Sequence, residues 1–192
     1  MRKIAYILSC TILVFTTPSC YHKLQNDYLE YIPYSGNEIL IFQSDLNRMD
    51  TIFLTGINEY DISGKTLRTY QAISVNYVRT TLDYNRYFSQ NQLIKIMATK
   101  KGESRISFYE ALKEASFCNI GSYGLSDFEN MPDSELTIGD KTYKDVKVFE
   151  ADEDAKYYES RDNYVERFYW SFSEGFLGLD KKDEKWRLIK KM

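Results

Sequence analysis

The chain closes with the sequence Arg167-Phe168-Tyr169-Trp170-Ser171-Phe172-Ser173-Glu174-Gly175-Phe176-Leu177-Gly178-Leu179-Asp180-Lys181-Lys182-Asp183-Glu184-Lys185-Trp186-Arg187-Leu188-Ile189. In its first part an aromatic residue falls at every second position, which is the spacing of a strand with one buried face. Ser173–Gly175 and the polar run Asp180–Glu184 have the composition of turns and divide the stretch into three strands. We therefore predict a three-strand antiparallel meander whose inner face carries Phe168, Trp170 and Phe172.

Two hairpins are predicted on either side of the middle of the chain. Gly139-Asp140 suits a tight turn, and it joins the run 135–138 to the run 141–149. Near the start, the runs 38–43 and 51–55 are rich in β-branched and aromatic residues and lie one polar loop apart. Both faces of this earlier hairpin are partly apolar, so we expect both to be largely covered.

The region between these hairpins supplies more strands. Leu67–Leu82 alternates for a long way, with Ser74 and Asn76 on one side, and predicts a half-buried strand that is wet on that side. Residues 93–97 and 105–108 suit a further hairpin. A single helical turn is expected around Glu110–Ala115, and a long loop over 121–133.

Composition agrees with a β fold, because the chain has 17 tyrosines against three prolines and aromatic residues favour strands. The strand signals predict a mostly antiparallel all-β domain of roughly eight to ten strands, closing as a sandwich or an incomplete barrel with little helix. The pattern leaves the choice between sandwich and barrel open.

The N-terminus reads as a secretory signal peptide. Arg2 and Lys3 precede the apolar run Ile4–Phe15, and a short polar turn ends at Ser19 before Cys20. The twelve apolar residues are too few for a membrane-spanning helix, which needs about twenty. We therefore expect residues 1–19 to be removed after export.

A cysteine directly after the cut resembles the signal of bacterial lipoproteins, which implies that Cys20 carries the lipid. Cys10 has better preceding residues, but a cut there leaves too short an apolar segment. An ordinary cut near Ser19, giving a soluble exported protein, is the other alternative. On this interpretation residues 1–19 are the signal peptide, 20–36 a tether and 37–192 a single β-rich domain.

The closing part of the chain also resembles the ends of uncharacterised envelope lipoproteins of Bacteroidota type. The resemblance rests on the leader, the hairpin Ile138–Val146, the aromatic strand, Gly175-Phe176-Leu177-Gly178-Leu179 and Trp186-Arg187-Leu188, and covers roughly residues 136–190. It implies a cell-envelope location, on a periplasmic or a surface face, and a β architecture. It brings no known activity.

Charge and cysteine content exclude several classes of function. The chain has 28 acidic and 25 basic residues and no basic block, so we expect no nucleic-acid partner and no electrostatic docking on anionic lipid. Apart from Cys10 and Cys20 there is only Cys118, which is either a reactive thiol or a small buried residue. The single histidine, His22, lies in the expected tether, so a Cys-His or Ser-His-Asp site is not supported.

Candidate binding chemistry is sparse. The acidic link with Glu150, Asp152, Glu153 and Asp154 lacks the spacing of a calcium loop and is expected to be solvated, so no metal and no cofactor is predicted. Tyr157 and Tyr158 sit in this polar link, and they are the side chains we predict to stack on a sugar or a peptide.

Three functions remain open. The first is a lipid-anchored envelope protein, not an enzyme, that binds a partner protein or a ligand and contacts the membrane through lipid at Cys20. The second is a hydrolase that uses two carboxylates on envelope or dietary polymers. The third is a half-barrel carrier of an apolar ligand. A filled core with a flat aromatic edge favours the first, a deep cleft with two facing carboxylates the second and an apolar hollow the third.

Overall fold

The structure, a computed structural model, describes residues 20–64, 68–79, 91–109, 112, 121–151, 159–162 and 164–192. Within them lie twelve strands: β1 Cys20–His22, β2 Ile39–Ser44, β3 Met49–Ser63, β4 Arg68–Val78, β5 Asn91–Ala98, β6 Ser104–Phe108, β7 Ser122–Gly124, β8 Ser134–Ile138, β9 Lys141–Glu150, β10 Val165–Ser171, β11 Gly175–Lys181 and β12 Glu184–Lys191. They also include a 3-10 turn, Tyr28–Tyr31, and one short helix, α1, Leu125–Asn130.

The strands form one sheet in the order β7-β6-β5-β4-β3-β2-β12-β11-β10-β9-β8, with every neighbouring pair antiparallel. The sheet curls into an open half-barrel, which confirms the predicted all-β incomplete barrel. β1 lies off this path and pairs in parallel with β4. The strand count exceeds the prediction because β1 and β7 are three residues each, too short for a periodic signal.

The predicted closing meander is present as β10, β11 and β12. Phe168 lies opposite Leu179, and Leu179 lies opposite Trp186. Gly178 interrupts β11 with a φ of 145°, and a Cβ placed on it would lie 2.0 Å from the carbonyl oxygen of Trp186. Only glycine allows this close approach of the two strands.

Aromatic rings fill the inner, concave face of the half-barrel. Trp170 and Phe168 are fully buried, as predicted for this strand. The Phe108 ring centroid lies 4.8 Å from that of Trp170 and 4.9 Å from that of Phe149, and the Phe168 and Phe176 rings stack at 4.5 Å. Such separations are those of packed aromatic pairs, so the core is filled by side chains.

The helix α1 connects the two edges of the sheet, because β7 precedes it and β8 follows it. The prediction of a loop over 121–133 is therefore wrong. Leu125 and Phe128, three residues apart, are both buried against the aromatic core, and this burial stabilises a helix of only six residues. The helical turn expected at Glu110–Ala115 lies, except for the buried Leu112, outside the described residues.

The expected tether, residues 20–36, instead lies across the inner face, with Leu24, Tyr31, Ile32 and Tyr34 buried. The Leu24 N–H donates to Gln71 Oε1 at 3.1 Å, and the Tyr34 hydroxyl accepts the Phe176 N–H at 2.7 Å. The fold therefore has two layers, the curled sheet and, on its inner face, this segment together with α1. The apolar side chains of the segment gain burial that a free tether would not have.

The strand predicted to be wet on one face is buried on both. Within β4 all residues from Ala72 to Tyr77 are buried, including Ser74 and Asn76. Ser74 and Asn76 are hydrogen-bonded to each other at 3.0 Å. Above them the Gln92 side chain of β5 donates to the Tyr60 hydroxyl of β3 at 2.9 Å, so polar side chains of the neighbouring strands cover this face.

Candidate functional site

The outer face of the central strands β2, β3 and β12 carries exposed apolar side chains. In β2, Leu40 and Phe42 point into the core, so Ile39 and Ile41 point outward. We define the outer apolar face as six apolar residues that are exposed or partly exposed. Five of them lie on β2, β3 and β12, and Met192 follows β12. The six are Ile39, Ile41, Met49, Phe53, Ile189 and Met192.

Strand register places five of these residues side by side, and Met49 lies at the edge of the group, opposite Gln43 of β2. Ile39 lies opposite Phe53 on β3, and its backbone exchanges two hydrogen bonds with Met192, of 2.9 and 3.0 Å. Ile41 lies opposite Lys190, beside Ile189 at a bulge in β12. Neighbouring strands are about 4.8 Å apart, so these side chains lie side by side. Met49, Phe53, Ile189 and Met192 are between 39% and 55% exposed.

The expectation that both faces of the β2–β3 hairpin are covered is therefore wrong for the outer face. Several outward positions on other strands are polar, namely Arg105 and Ser107 of β6 and Thr142 and Lys144 of β9. The apolar character of this patch is thus a local property and not a general feature of the convex surface. The signal that could have found it is the apolar character of both faces in residues 38–43.

Basic side chains border the outer apolar face on the β12 side. Lys185, Arg187 and Lys190 point outward from β12. Arg187 Nη1 pairs with Asp180 Oδ1 at 2.7 Å, whereas no ion pair within the described residues involves Lys185 or Lys190. The exposed Asp45 accepts the Lys185 backbone N–H at 3.1 Å. The border therefore presents free positive charge to solvent.

Cys20, the predicted attachment residue, is exposed at the first position of β1. The next residue, Tyr21, donates its hydroxyl to Asp61 Oδ1 at 2.8 Å. The His22 ring stacks on Tyr70 with centroids 5.0 Å apart. The thiol therefore reaches solvent from a backbone that is fixed against the sheet.

Other predicted site residues are not part of this geometry. Tyr157 and Tyr158, the predicted stacking pair, lie outside the described residues, as do Cys118 and the acidic residues 152–154. Among the described residues, no three or more His, Cys, Asp or Glu side chains are grouped so as to hold a metal ion.

Among the residues that the structure describes, four carboxyl groups have a pKa below the usual value for their type. Burial would raise the pKa of Glu184, but hydrogen bonds from Arg48 and Lys181 outweigh burial and lower it to about 2. Burial likewise opposes the lowered pKa values of Glu38 and Asp145, where N–H donors of Ser35 and of Ser173 prevail. At Glu174 the Lys141 ammonium lowers the pKa. All four groups are held as anions, whereas a carboxyl that donates a proton in glycoside hydrolysis needs a raised pKa.

Within the part of the chain that the structure describes, no helix has both the length and the apolar character needed to cross a membrane. Comparison of the chain with protein-family models, curated proteins and solved structures finds no match. The function is therefore inferred from the residues and their geometry.

Proposed function

We propose that this is a lipid-anchored protein of a bacterial cell envelope that binds a partner protein through the outer apolar face. The observation that carries the binding role is the exposure of contiguous apolar side chains on the central strands of the sheet. Apolar patches that exceed the scatter of single exposed residues commonly mark interaction sites. The lipid anchor is supported by the signal pattern ending at Cys20 and by the exposure of that residue.

The chemistry of the face favours a partner with an apolar centre and an acidic border. Interfaces combine an apolar core with a polar rim, and charges of opposite sign across the rim fix orientation. Lys185 and Lys190 supply positive charge at the border. Two carboxylates lie beside Lys185: Asp180, its partner in the strand register, pairs with Arg187, and Asp45 accepts the Lys185 backbone N–H. A second copy of this protein would place the same lysines at the border of the interface. Charge complementarity therefore favours a different protein as the partner.

The two alternative functions have less support. A carrier needs an apolar hollow, but the inner face holds packed rings together with the buried Tyr31 and Tyr34. A two-carboxylate hydrolase needs one proton-donating carboxyl, but each carboxyl with a clear shift has a lowered pKa.

The binding role is tested with a triple variant, Met49→Gln, Phe53→Gln and Ile189→Gln, compared with the control pair Leu29→Gln and Leu46→Gln. Leu29 and Leu46 are also exposed apolar residues but lie outside the face, so the control removes similar groups elsewhere. Native membranes are crosslinked at short range, and crosslinked peptides are identified by mass spectrometry.

We expect one partner protein to be crosslinked to residues of the face in the wild type and in the control. The triple variant should lose that crosslink, while its melting temperature stays near that of the wild type because the replaced residues are exposed. Equal crosslinking of the triple variant contradicts the assignment of the face. Crosslinks only between two copies of this chain would show self-association and contradict a separate partner.

The anchor is tested separately by Cys20→Ala, with Cys118→Ala as the matched cysteine control. Stable anchoring requires two acyl chains or their equivalent, and their removal should release the protein from membranes. We expect the Cys20 variant in the soluble fraction and the Cys118 variant in the membrane fraction. Unchanged membrane fractionation of the Cys20 variant would disprove the anchor.

A further inference from the structure

One edge of the sheet ends in a strand with unused backbone hydrogen-bonding groups. The strand order places β7 at one edge and β8 at the other. At the β7 edge the Arg105 side chain bonds to the carbonyl and hydroxyl oxygens of Ser122. Among the described strands, β8 pairs only with β9, so its other side is open.

Neighbouring elements do not satisfy this open edge. β8 comes close to β12, but the backbone of β12 is already paired with β11 on one side and with β2 on the other. Within the described residues, the main chain of Glu135 and Thr137 has no hydrogen-bond partner outside β9. The edge can therefore accept another strand without displacing an existing bond.

The turn of the β8–β9 hairpin decides which backbone groups are unused. Ile138 lies opposite Lys141 across a two-residue turn, and the residues that flank such a turn exchange their backbone hydrogen bonds with each other. Leu136 makes the next exchange along the ladder. The N–H and C=O groups of Glu135 and Thr137 therefore point away from β9.

The side chains of β8 alternate in the same way. Leu136 and Ile138 are partly buried and pack against the core, whereas Glu135 and Thr137 are exposed. A chain that adds to this edge meets an apolar row on the inner side, a polar row on the outer side and backbone groups between them. That is the recognition surface for an extended strand.

We infer that the open edge of β8 pairs with β8 of a second copy of this chain, antiparallel and about a two-fold axis at Leu136. In this register Glu135 lies opposite Thr137 of the second copy, and Leu136 lies opposite its own counterpart. The outward residues of each copy thus meet each other, so every unused N–H and C=O group of Glu135 and Thr137 gains a partner. A two-fold axis along the bilayer normal also holds both Cys20 residues at the same height.

Charge favours this register. A parallel, in-register copy would place Glu135 beside Glu135, whereas the antiparallel register places it opposite the neutral Thr137. A shift in the β8–β9 register sets Glu135 opposite Lys144 and Asp145 of its own chain. Asp145 accepts the backbone N–H of Ser173, so the exposed Lys144 balances Glu135.

The acidic residues that flank β8 also meet no like charge directly opposite. Asp133 pairs with the buried Lys147 at 2.8 Å, and it would lie opposite Gly139 of the second copy. Asp140, in the exposed turn, would lie opposite Pro132 of the second copy. The edge is therefore compatible with a copy of itself along its whole length.

The interface is small. β8 has five residues, whereas a standard protein interface uses about 20–30 residues a side. The pairing is therefore expected to be weak in solution and stronger where the anchor proposed above concentrates both copies in one membrane.

The test traps the pair by a disulfide in the full chain, in a Cys118→Ser background, by mild oxidation of native membranes. Leu136→Cys places the two thiols on the two-fold axis, where the Cα atoms of a non-hydrogen-bonded pair are about 4.5 Å apart, within disulfide reach. Glu135→Cys is the matched control, because its counterpart is a diagonal neighbour about 7–8 Å away. The background chain alone reports any disulfide formed through Cys20.

We expect severalfold more disulfide-linked dimer from Leu136→Cys than from Glu135→Cys, although Glu135 is the more exposed residue. Equal trapping of the two would indicate random collision and overturn the pairing. So would a Leu136→Cys chain that stays in the membrane fraction without forming a dimer, or that links only to a different protein. A chain found in the soluble fraction would contradict the anchor alone, and trapping is then compared at high protein concentration.

A proline in the open edge tests the hydrogen bonds. Thr137→Pro, added to Leu136→Cys, removes an N–H that has no partner within the described part of the chain, so it should abolish the dimer while the melting temperature is retained. Thr137→Val keeps the N–H and should leave the dimer. Equal dimer in the proline and valine variants would overturn the backbone pairing.

Hydrogen exchange tests the same pairing without a change at Leu136. In vesicles, exchange of residues 134–138 should slow as the ratio of protein to lipid rises in the wild type, but not in Thr137→Pro. Exchange in the wild type that does not depend on this ratio would overturn the pairing.

Discussion

Replacing Glu184 by glutamine removes the anion that joins two cations at the β11–β12 turn. Glu184 Oε2 lies 2.9 Å from the Lys181 ammonium, and Arg48 Nε donates to Glu184 Oε1 at 2.6 Å. The side chains of Glu184 and Lys181 are 4% and 5% exposed, so this pair is shielded from water. In the Glu184→Gln variant the ammonium of Lys181 stays buried without its counterion, which is a costly arrangement.

The lowered pKa gives the size of the effect. The pKa of Glu184 falls from 4.5 to about 2 on folding, and each pKa unit corresponds to about 1.4 kcal/mol, so the charged form stabilises the fold by at most about 3.5 kcal/mol. Arg48 is half exposed, and solvent screening of its charge reduces the figure to about 2–3 kcal/mol. Because the folded-state pKa is lowered, this stabilisation is complete above about pH 4.5 and is lost as the pH falls towards about 2.

The measurement is urea-induced unfolding of the wild type and of Glu184→Gln at about pH 7 and about pH 3. We expect the variant to be less stable at the higher pH and the difference to shrink at the lower pH, because the Glu184 carboxyl of the unfolded wild type, with its ordinary pKa of 4.5, takes up a proton there. The control is Glu174→Gln, whose partner Lys141 is 58% exposed and which should cost less than about 1 kcal/mol. Equal losses in the two variants, or a difference that does not change with pH, would refute the reasoning.

Two further substitutions test the core and the sheet. Trp170→Ala should destabilise the domain by about 3–5 kcal/mol, because the ring is fully buried, and a melting temperature equal to that of the exposed control Ser126→Ala would contradict its place in the core. Gly178→Ala should cost more than Gly139→Ala by at least about 2 kcal/mol, because a Cβ at Gly178 would meet the Trp186 carbonyl whereas Gly139 faces open space. Equal urea midpoints for the two glycine variants would show that the strands can separate without cost.

Much of the fold could be predicted from local patterns in the sequence. The alternation of Phe168 and Trp170, and the turns at Gly139-Asp140 and Ser173–Gly175, depend on neighbours in sequence and were predictable from it. The pairing of β12 with β2 joins opposite ends of the chain, and nothing in either segment specifies the other as its partner. Long-range pairing is decided by the packing of the whole sheet and not by local periodicity.

The predictions that were wrong also depended on packing that local sequence patterns do not show. Ser74 and Asn76 indicate a wet face, but whether water reaches them depends on Tyr60 and Gln92 of the neighbouring strands. The helix α1 has six residues, less than two turns, so its apolar period could not be recognised. Segment 20–36 has the polar composition of a tether, yet a few apolar side chains such as Tyr31 are enough to dock it once an aromatic inner face exists.

Whether the outer apolar face is exposed depends on the choice between a sandwich and an incomplete barrel, which the sequence left open. A second sheet packed on β2 and β3, as in a sandwich, would bury Ile39, Ile41 and Phe53 within the domain. In the half-barrel the second layer lies on the inner face only, so these side chains remain on the surface. Their apolar character was visible in the sequence. Their exposure follows from the architecture.

The proposed anchor at Cys20 and the outer apolar face lie far apart in the fold. Phe53 on the outer apolar face and Ser63 beside the Cys20 end are about 33 Å apart along β3, several times the Debye length of about 8 Å at physiological ionic strength. Charges around Cys20 therefore do not act on a partner at the outer apolar face. The anchor would increase partner binding by concentrating both proteins at one surface and not by changing the affinity of the face.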